Sequence, residues 1–114
     1  MKKRNKYNNK KIIIDNIKFD SIKEGNRYKE LKLLEKAGMI VDLETQPKYL
    51  LQDKFKYNNK VERAIHYIAD FRYIDVKSSQ LIVEDTKGVR TEVFKIKRKI
   101  FLKLYGADLQ FLET

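Results

Sequence analysis

The spacing of apolar residues predicts a helix in residues 19–38, FDSIKEGNRYKELKLLEKAG. Its apolar side chains recur at helical intervals and form one stripe, which consists of Tyr28, Leu31 and Leu34. Ser21 is a favourable N-cap and Gly38 a favourable C-terminal stop. We therefore expect a helix that begins beside Ser21, ends beside Gly38 and turns its stripe towards the core.

A second helix is predicted in residues 91–106, TEVFKIKRKIFLKLYG. Thr91 is the expected N-cap and Gly106 the expected stop. The apolar positions of this helix are Val93, Phe94, Ile96, Ile100, Phe101 and Leu104.

The alternation of apolar and polar residues predicts strands in three further segments. Residues 39–52, MIVDLETQPKYLLQ, form a strand that is interrupted or bent at Pro47. Residues 67–92, YIADFRYIDVKSSQLIVEDTKGVRTE, contain two strands rich in Ile, Val, Tyr and Phe, joined by a short polar turn. Residues 107–113, ADLQFLE, form a short final strand.

Two segments with paired Asx residues predict tight turns. Residues 11–19, KIIIDNIKF, form a small hairpin that turns at Asp15 and Asn16. Residues 53–62, DKFKYNNKVE, form a loop or hairpin tip that turns at Asn58 and Asn59.

The main elements follow the order helix, strand, strand, strand, helix, strand. This order predicts an α/β fold in which a mixed sheet is flanked by helices. A chain of 114 residues has room for one core. We therefore divide it into a basic N-terminal arm or short hairpin, residues 1–18, and one domain, residues 19–114.

Composition adds a charge argument. The formal net charge is +10, from 26 Lys and Arg against 16 Asp and Glu. Such a surplus favours a polyanionic partner, with nucleic acid ahead of an anionic membrane, although it also serves solubility.

The chain has no apolar run long enough to cross a bilayer and no signal-peptide pattern. It has no cysteine, which excludes disulfides and fits a reducing cytoplasm.

Acidic residues occur in the predicted strands of residues 67–92, where burial of an unpaired charge is costly. Successive side chains of a strand point to opposite faces of the sheet. Asp85 therefore shares a face with Lys87, whereas Glu84 and Thr86 point to the other face.

The turn between these strands sets their register. If Lys77 and Ser78 form a two-residue turn, Asp70 lies opposite Asp85, with Cβ atoms about 4.5–5.5 Å apart. Like charges at that distance need a proton, a lysine or a divalent cation between them, and carboxylate oxygens suit Mg²⁺ or Mn²⁺. Two simpler interpretations stay open: Asp70 is a solvated residue paired with Arg72, and Asp85 forms a surface salt bridge with Lys87.

Glu24 is the candidate for a third acid, because it lies on the core-facing stripe of the first helix. It is also the last residue of an S-x-x-E capping box that begins at Ser21, and both interpretations can hold together. Two polar residues are further candidates for lining the site: Gln46 and His66. Three tyrosines are candidates for stacking on bases, although tyrosines in strands more often pack: Tyr7, Tyr57 and Tyr67.

These residues, in this order, resemble the PD-(D/E)XK nuclease superfamily. The resemblance rests on Asp70, the triplet Asp85-Thr86-Lys87 and Glu24 on the preceding helix. More narrowly, FDSIKEGNRYKELKLLEKAG, LETQPKYLL, YIADFRY and VEDTKGVRTEVFKIKRK look like a small nuclease-like family encoded by bacteriophages and prophages. The residue before Asp70 is Ala69, where the name-giving motif has proline.

The resemblance implies a restriction-endonuclease-like αβββαβ core and a phosphodiester-cleaving site. Asp70 and Asp85 would bind Mg²⁺ or Mn²⁺, and Glu24 would complete the metal site directly or through water. Lys87 would position or deprotonate the attacking water and stabilise charge on the phosphate.

The resemblance also implies a substrate and a setting. We expect a DNA endonuclease of phage origin that acts on branched recombination or replication DNA, as Holliday-junction resolvases do, in the cytoplasm of a bacterial host. Small nucleases of this kind often pair to cut two strands, so a homodimer is expected. Basic residues of the second helix would contact the DNA backbone: Lys95, Lys97, Arg98, Lys99 and Lys103.

A second function class stays open. The chain could be a non-catalytic module that keeps the nuclease fold and binds nucleic acid or protein, as a recombination accessory or against host defences. Such a module has no need of opposed carboxylates.

Overall fold

The computed structural model describes residues 10–86 and 90–114. The helices in these residues are α1 (Ile22–Lys36) and α2 (Glu92–Tyr105), and α2 continues into a 3₁₀ turn (Gly106–Asp108). The strands are β1 (Ile12–Ile14), β2 (Ile17–Phe19), β3 (Ile40–Thr45), β4 (Lys48–Gln52), β5 (Phe55–Tyr57), β6 (Lys60–Glu62), β7 (Ile65–Ile68), β8 (Phe71–Asp75), β9 (Gln80–Asp85) and β10 (Gln110–Glu113).

A four-stranded mixed sheet forms the centre of the fold. Its strand order is β10-β9-β8-β3, with β10 parallel to β9 and the other neighbours antiparallel. Adjacent residues of β9 face opposite sides of this sheet. Ile82 packs in a core cluster with Leu31 of α1, and Val83 packs in a second cluster with Phe101 of α2. The helices therefore flank the sheet on both faces, which confirms the predicted α/β class.

The capping signals define the helix ends as predicted. The Ser21 side chain accepts a hydrogen bond from the Glu24 backbone N–H at 3.1 Å, and Thr91 accepts one from Phe94 at 3.1 Å. Gly38 has φ +77°, a left-handed conformation that glycine adopts at little cost after a helix.

The N-terminal hairpin is confirmed and packs on α1. Asp15 and Asn16 have φ values of 52° and 64°, as a tight turn with two left-handed residues requires. Ile12 and Ile14 of this hairpin pack against the α1 core cluster. A Cβ atom at Gly25 would lie 3.0 Å from Ile12 Cγ2, so the absence of a side chain there admits the hairpin. The predicted division at residue 18 stays a prediction.

The predicted interruption at Pro47 is confirmed, whereas the prediction of one continuous strand through Asp70 is wrong, because both segments are divided into two strands. Residues 39–52 form β3 and β4, and the break falls at Pro47, the position predicted for an interruption. Residues 65–75 form β7 and β8, and Asp70 lies in the break between them. The reason is that the chain leaves the central sheet here: β4 pairs with β7, whereas β3 pairs with β8.

The excursion between these breaks is an extended structure that we call the long hairpin, residues 46–70. Its outer part, which we call the tip hairpin, consists of β5, β6 and a turn at Asn58 and Asn59 with φ values of 49° and 64°. The β3–β8 ladder of the central sheet ends at the base of the long hairpin, where Thr45 pairs with Phe71.

The predicted register of the central hairpin is confirmed within β8 and β9, whereas the predicted two-residue turn is wrong and the ladder does not extend to the predicted pair Asp70 and Asp85. Phe71 pairs with Glu84 and Asp75 with Gln80, as the two-residue turn required. Val76 and Ser79 do not continue this ladder, because the Val76 N–H donates to the Met39 carbonyl and the Ser79 N–H to the Asp75 carbonyl.

No helix in residues 10–86 and 90–114 is long and apolar enough to cross a membrane.

Candidate functional site

Three buried carboxylates lie near the end of β9. Glu84 is 0% exposed, Asp85 is 1% exposed and Asp70 is 5% exposed. The adjacent positions 84 and 85 face opposite sides of the sheet, as predicted, and each carboxylate has a different set of partners.

Glu84 belongs to an ion pair on the α1 face. Arg27 donates to it through Nε at 2.8 Å and through Nη2 at 2.7 Å, and the Tyr73 hydroxyl donates a third hydrogen bond. The hydrogen bond to Glu84 raises the Arg27 pKa, and burial, followed by the bond to Glu84, raises the Tyr73 pKa. These charge-assisted hydrogen bonds use both oxygens of the Glu84 carboxylate and hold it in place within the fold.

Asp85 lies on the α2 face beneath Tyr67, whose hydroxyl donates a hydrogen bond to Oδ2. Tyr67 is 2% exposed, and burial, followed by the bond to Asp85, raises its pKa. The phenol therefore stays protonated at neutral pH and acts as a fixed donor to the carboxylate.

Asp70 is held by the residue that follows Asp85. The Thr86 hydroxyl donates to Asp70 Oδ2 at 2.7 Å, and the Thr86 backbone N–H donates to the same oxygen. The Asp70 backbone N–H donates to the Glu84 carbonyl at 3.0 Å. This hydrogen bond holds the segment between β7 and β8 against β9. Arg72 does not pair with Asp70; it forms an ion pair with Glu44. The interpretation of Asp70 as a solvated partner of Arg72 is therefore wrong.

Glu24 and Asp70 line one surface cavity of about 380 Å³. Glu24 is 5% exposed and lies in the first turn of α1. Gln46 also lines this cavity, and its side-chain amide donates to the Lys18 carbonyl at 2.9 Å. Two lysines and a further acid, Lys11, Lys18 and Asp20, also line this cavity. The structure thus brings together two of the three predicted acids and the predicted site-lining glutamine.

His66 does not line this cavity. His66 is half-buried and lines a separate cavity of about 360 Å³ beside Tyr67, Phe94 and Lys97. Lys87 lies outside the described residues 10–86 and 90–114, and so does Tyr7. The predicted roles of His66, Gln46 and Lys87 stay predictions.

The three acids can be tested against the predicted metal by their donor chemistry. All are carboxylates, which suit Mg²⁺ or Mn²⁺, and Asp70 and Glu24 reach one cavity. Within the described parts of the chain, no three or more His, Cys, Asp or Glu side chains form a group that could hold a metal ion. The oxygen donor set fits a hard cation in chemical type.

The basic residues of α2 differ in their contacts with acidic residues and in their exposure. Arg98 donates to Glu113 Oε1 at 2.6 Å and lies over the Phe111 ring, so its guanidinium is fixed to β10. Lys95 contacts Glu92 at 3.2 Å. Lys99 and Lys103 are exposed, and Lys97 is half-buried.

Sequence reasoning missed the residues that hold the acids in place. Thr86, Tyr67 and Arg27 each act through a tertiary contact, and Glu113 lies beside Asp85 in the parallel β9–β10 register. Burial raises the Glu113 pKa, but hydrogen bonds from Arg98 and Arg90 outweigh this effect and leave the pKa below its usual value. The only local signal for these roles was the alternation along β9, which placed Thr86 on the side away from Asp85.

The chain belongs to a family described as a protein of unknown function, DUF1064, whose model matches residues 4–112. No curated protein and no solved structure gives a significant match to the chain.

Proposed function

For this member of a family without an assigned activity, we propose a metal-dependent DNA endonuclease with a restriction-endonuclease-like core. The observation that carries the proposal is the burial of Asp70 and Asp85 at adjoining segments of the chain, with Glu24 opening into the same cavity as Asp70. Buried carboxylates are costly, and their concentration beside a cavity is typical of a catalytic site.

Asp70, Asp85 and Glu24 would hold Mg²⁺ or Mn²⁺. The bound ion would acidify a water molecule and neutralise charge that develops on the phosphate. Thr86 orients the Asp70 carboxylate, Tyr67 orients the Asp85 carboxylate, and both contacts limit the positions that the oxygens can take. In this proposal, Lys87 positions or deprotonates the attacking water and stabilises the phosphate charge.

The proposed substrate is DNA, and the net charge of +10 supports it. Lys95, Lys97, Lys99 and Lys103 would contact phosphates. Arg98 would contribute to the local positive potential while it remains bound to Glu113. We further propose branched recombination or replication DNA as the substrate, and a phage or prophage origin with action in the bacterial cytoplasm.

A homodimer is part of the proposal, and α2 offers a surface for it. Val93, Ile96, Ile100 and Leu104 are between 38% and 62% exposed and follow one another at helical spacing along a flank of α2 next to the buried Phe101. Exposed apolar stripes of this kind mark interaction surfaces.

Cleavage of labelled linear, flapped and four-way DNA with Mg²⁺ or Mn²⁺ tests the proposal. We expect divalent-dependent cleavage by the natural protein and its loss in Asp70→Asn, Asp85→Asn and Glu24→Gln. Glu35→Gln, which removes an acid on the far end of α1, is the matched control and should cleave normally. Absence of cleavage by the natural protein on all three DNAs, or full activity of Asp85→Asn, would refute the endonuclease.

A non-catalytic binding module is the second candidate. It is favoured by the contacts of Asp70 and Asp85, because Thr86 and Tyr67 give these carboxylates structural partners. This candidate predicts salt-sensitive binding of DNA or of a partner protein that persists in the Asp70→Asn/Asp85→Asn double variant, with no cleavage by either form.

A further inference from the structure

The tip hairpin is the part of the long hairpin that contributes nothing to either core. Every residue from 52 to 63 is exposed, and neither hydrophobic cluster includes one of them. An isolated two-stranded hairpin is at best marginally stable in water. Its left-handed Asn58–Asn59 turn nevertheless gives it a defined strand register, so its two faces present distinct sets of side chains.

One face of the tip hairpin carries two aromatic rings and a cation. Phe55 is 47% exposed and Tyr57 is 66% exposed, and they lie two residues apart on β5, so their Cα atoms are about 7 Å apart. Lys60 pairs with Tyr57 and Glu62 pairs with Phe55 across the hairpin, so both share this face. Lys56 and Val61 pair on the other face. Exposed aromatic platforms beside cations are how proteins bind unpaired nucleic acid, because each base has a face that can stack.

Charge identifies the class of partner. Residues 53–63 carry four cations, Lys54, Lys56, Lys60 and Arg63, against two acids, Asp53 and Glu62. A second copy of the tip hairpin would bring the same positive excess against itself, whereas a phosphate backbone would neutralise it.

The base of the long hairpin connects the tip to the candidate site. The Gln46 N–H donates to the Asp70 carbonyl at 2.8 Å, and the Ala69 N–H donates to the Pro47 carbonyl at 3.1 Å. The ten residues from Lys48 to Tyr57 comprise β4, two residues outside the strands and β5, and such a segment spans at most about 30 Å. A strand bound at the tip could therefore continue towards the cavity that Asp70 lines.

We propose that the tip hairpin binds single-stranded DNA, stacking bases on Phe55 and Tyr57 while Lys60 on the same face binds a phosphate. This inference rests on the proposed nuclease function in one respect only: it gives that site a substrate with an unpaired strand next to a duplex, such as a flap. The binding itself does not depend on cleavage.

The test is fluorescence anisotropy with the full chain and three labelled probes in EDTA: a dT20 oligonucleotide, a flapped duplex and a blunt duplex. Phe55→Ala/Tyr57→Ala should weaken binding of dT20 and of the flap by at least about tenfold. Binding of the blunt duplex should change by less than about twofold. Val61→Ala is the matched control, because Val61 is 59% exposed on the opposite face of the same hairpin; it should bind all three probes as the natural protein does.

Salt titration separates the phosphate contacts from the stacking. Lys60→Gln should flatten the dependence of log K on log salt for dT20 by about 0.7, the value for one phosphate contact to a single strand. Phe55→Ala/Tyr57→Ala should leave that slope unchanged.

The inference is overturned if the double aromatic variant binds dT20 as tightly as the natural protein, if Val61→Ala loses as much affinity, or if the natural protein does not bind dT20. These outcomes are distinct from failure of the nuclease proposal. A natural protein that never cleaves but whose dT20 binding depends on Phe55 and Tyr57 would refute the endonuclease and support the tip hairpin. A protein that cleaves and binds normally without these rings would do the reverse.

Discussion

Loss of Arg27 should strongly destabilise the fold, because it would leave the buried Glu84 charge without its counter-ion, and Arg27→Met is the direct test. Glu84 is 0% exposed and receives two hydrogen bonds from Arg27, at 2.7 and 2.8 Å. Removal of the guanidinium leaves a buried carboxylate whose one remaining donor among the described residues is Tyr73. Breaking one side of a buried ion pair costs about 3–5 kcal/mol. The same arginine also contacts Glu30, but that pair is exposed and contributes roughly 0–1 kcal/mol.

Urea unfolding followed by circular dichroism measures the effect. We expect Arg27→Met to lower the free energy of unfolding by about 3–5 kcal/mol, a large fraction of the roughly 5–15 kcal/mol typical of a domain. The m-value should be unchanged, because the unfolded surface is the same. Glu30→Gln is the control and should cost less than about 1 kcal/mol.

A double-mutant cycle tests the reason for this loss. Glu84→Gln removes the charge that Arg27→Met strands, so the double variant should be more stable than the sum of the two single losses by roughly 1–3 kcal/mol. A loss below about 1 kcal/mol in Arg27→Met, or additive losses in the cycle, would show that the pair does not stabilise the fold in the way its geometry indicates.

Three further predictions concern the site and the surfaces around it. Thr86→Val should lower the free energy of unfolding by about 1–2 kcal/mol in chemical denaturation, because the Asp70 carboxylate loses a buried hydroxyl donor; Thr86→Ser should recover most of it. The folded-state pKa of Glu113 is below its unfolded value near 4.5, so its stabilisation is present above that pH and is lost as the pH falls through the lower folded value; Glu113→Gln should be less stable than the natural protein at pH 7 and equal to it in acid. A constant difference across pH would contradict the ion-pair explanation. Ile100→Glu should convert a dimer to a monomer in light scattering, and a natural protein that is monomeric at every concentration would rule out the α2 surface.

The local features of the fold were predictable because short-range chemistry determines them. Paired Asx residues predicted the turns at Asp15–Asn16 and Asn58–Asn59, and all four residues have left-handed φ values. The capping residues Ser21 and Thr91 predicted where the helices begin. Alternation along β9 predicted that Glu84 and Asp85 face opposite sides of the sheet.

What could not be predicted depends on contacts between distant segments. The strand through Asp70 is broken because β7 pairs with β4 outside the central sheet, and nothing in YIADFRY marks that change of partner. The apolar positions of α2 split into a buried set around Phe101 and an exposed set around Ile100, which requires knowledge of where the sheet lies. The partner of Glu84 is Arg27, 57 residues earlier, and one sequence does not reveal such a pair.

The pairing of Thr45 with Phe71 has a consequence for protein engineering. Residues 46–70 leave and rejoin the central sheet beside this one pair, so they form a connection inserted between β3 and β8. Its outer strands can be shortened, lengthened or exchanged for a foreign β-ribbon without a change of register in β3 or β8. A truncated protein that lacks residues 53–63 should keep both helices and the central sheet, and offers a compact scaffold on which new recognition elements can be installed.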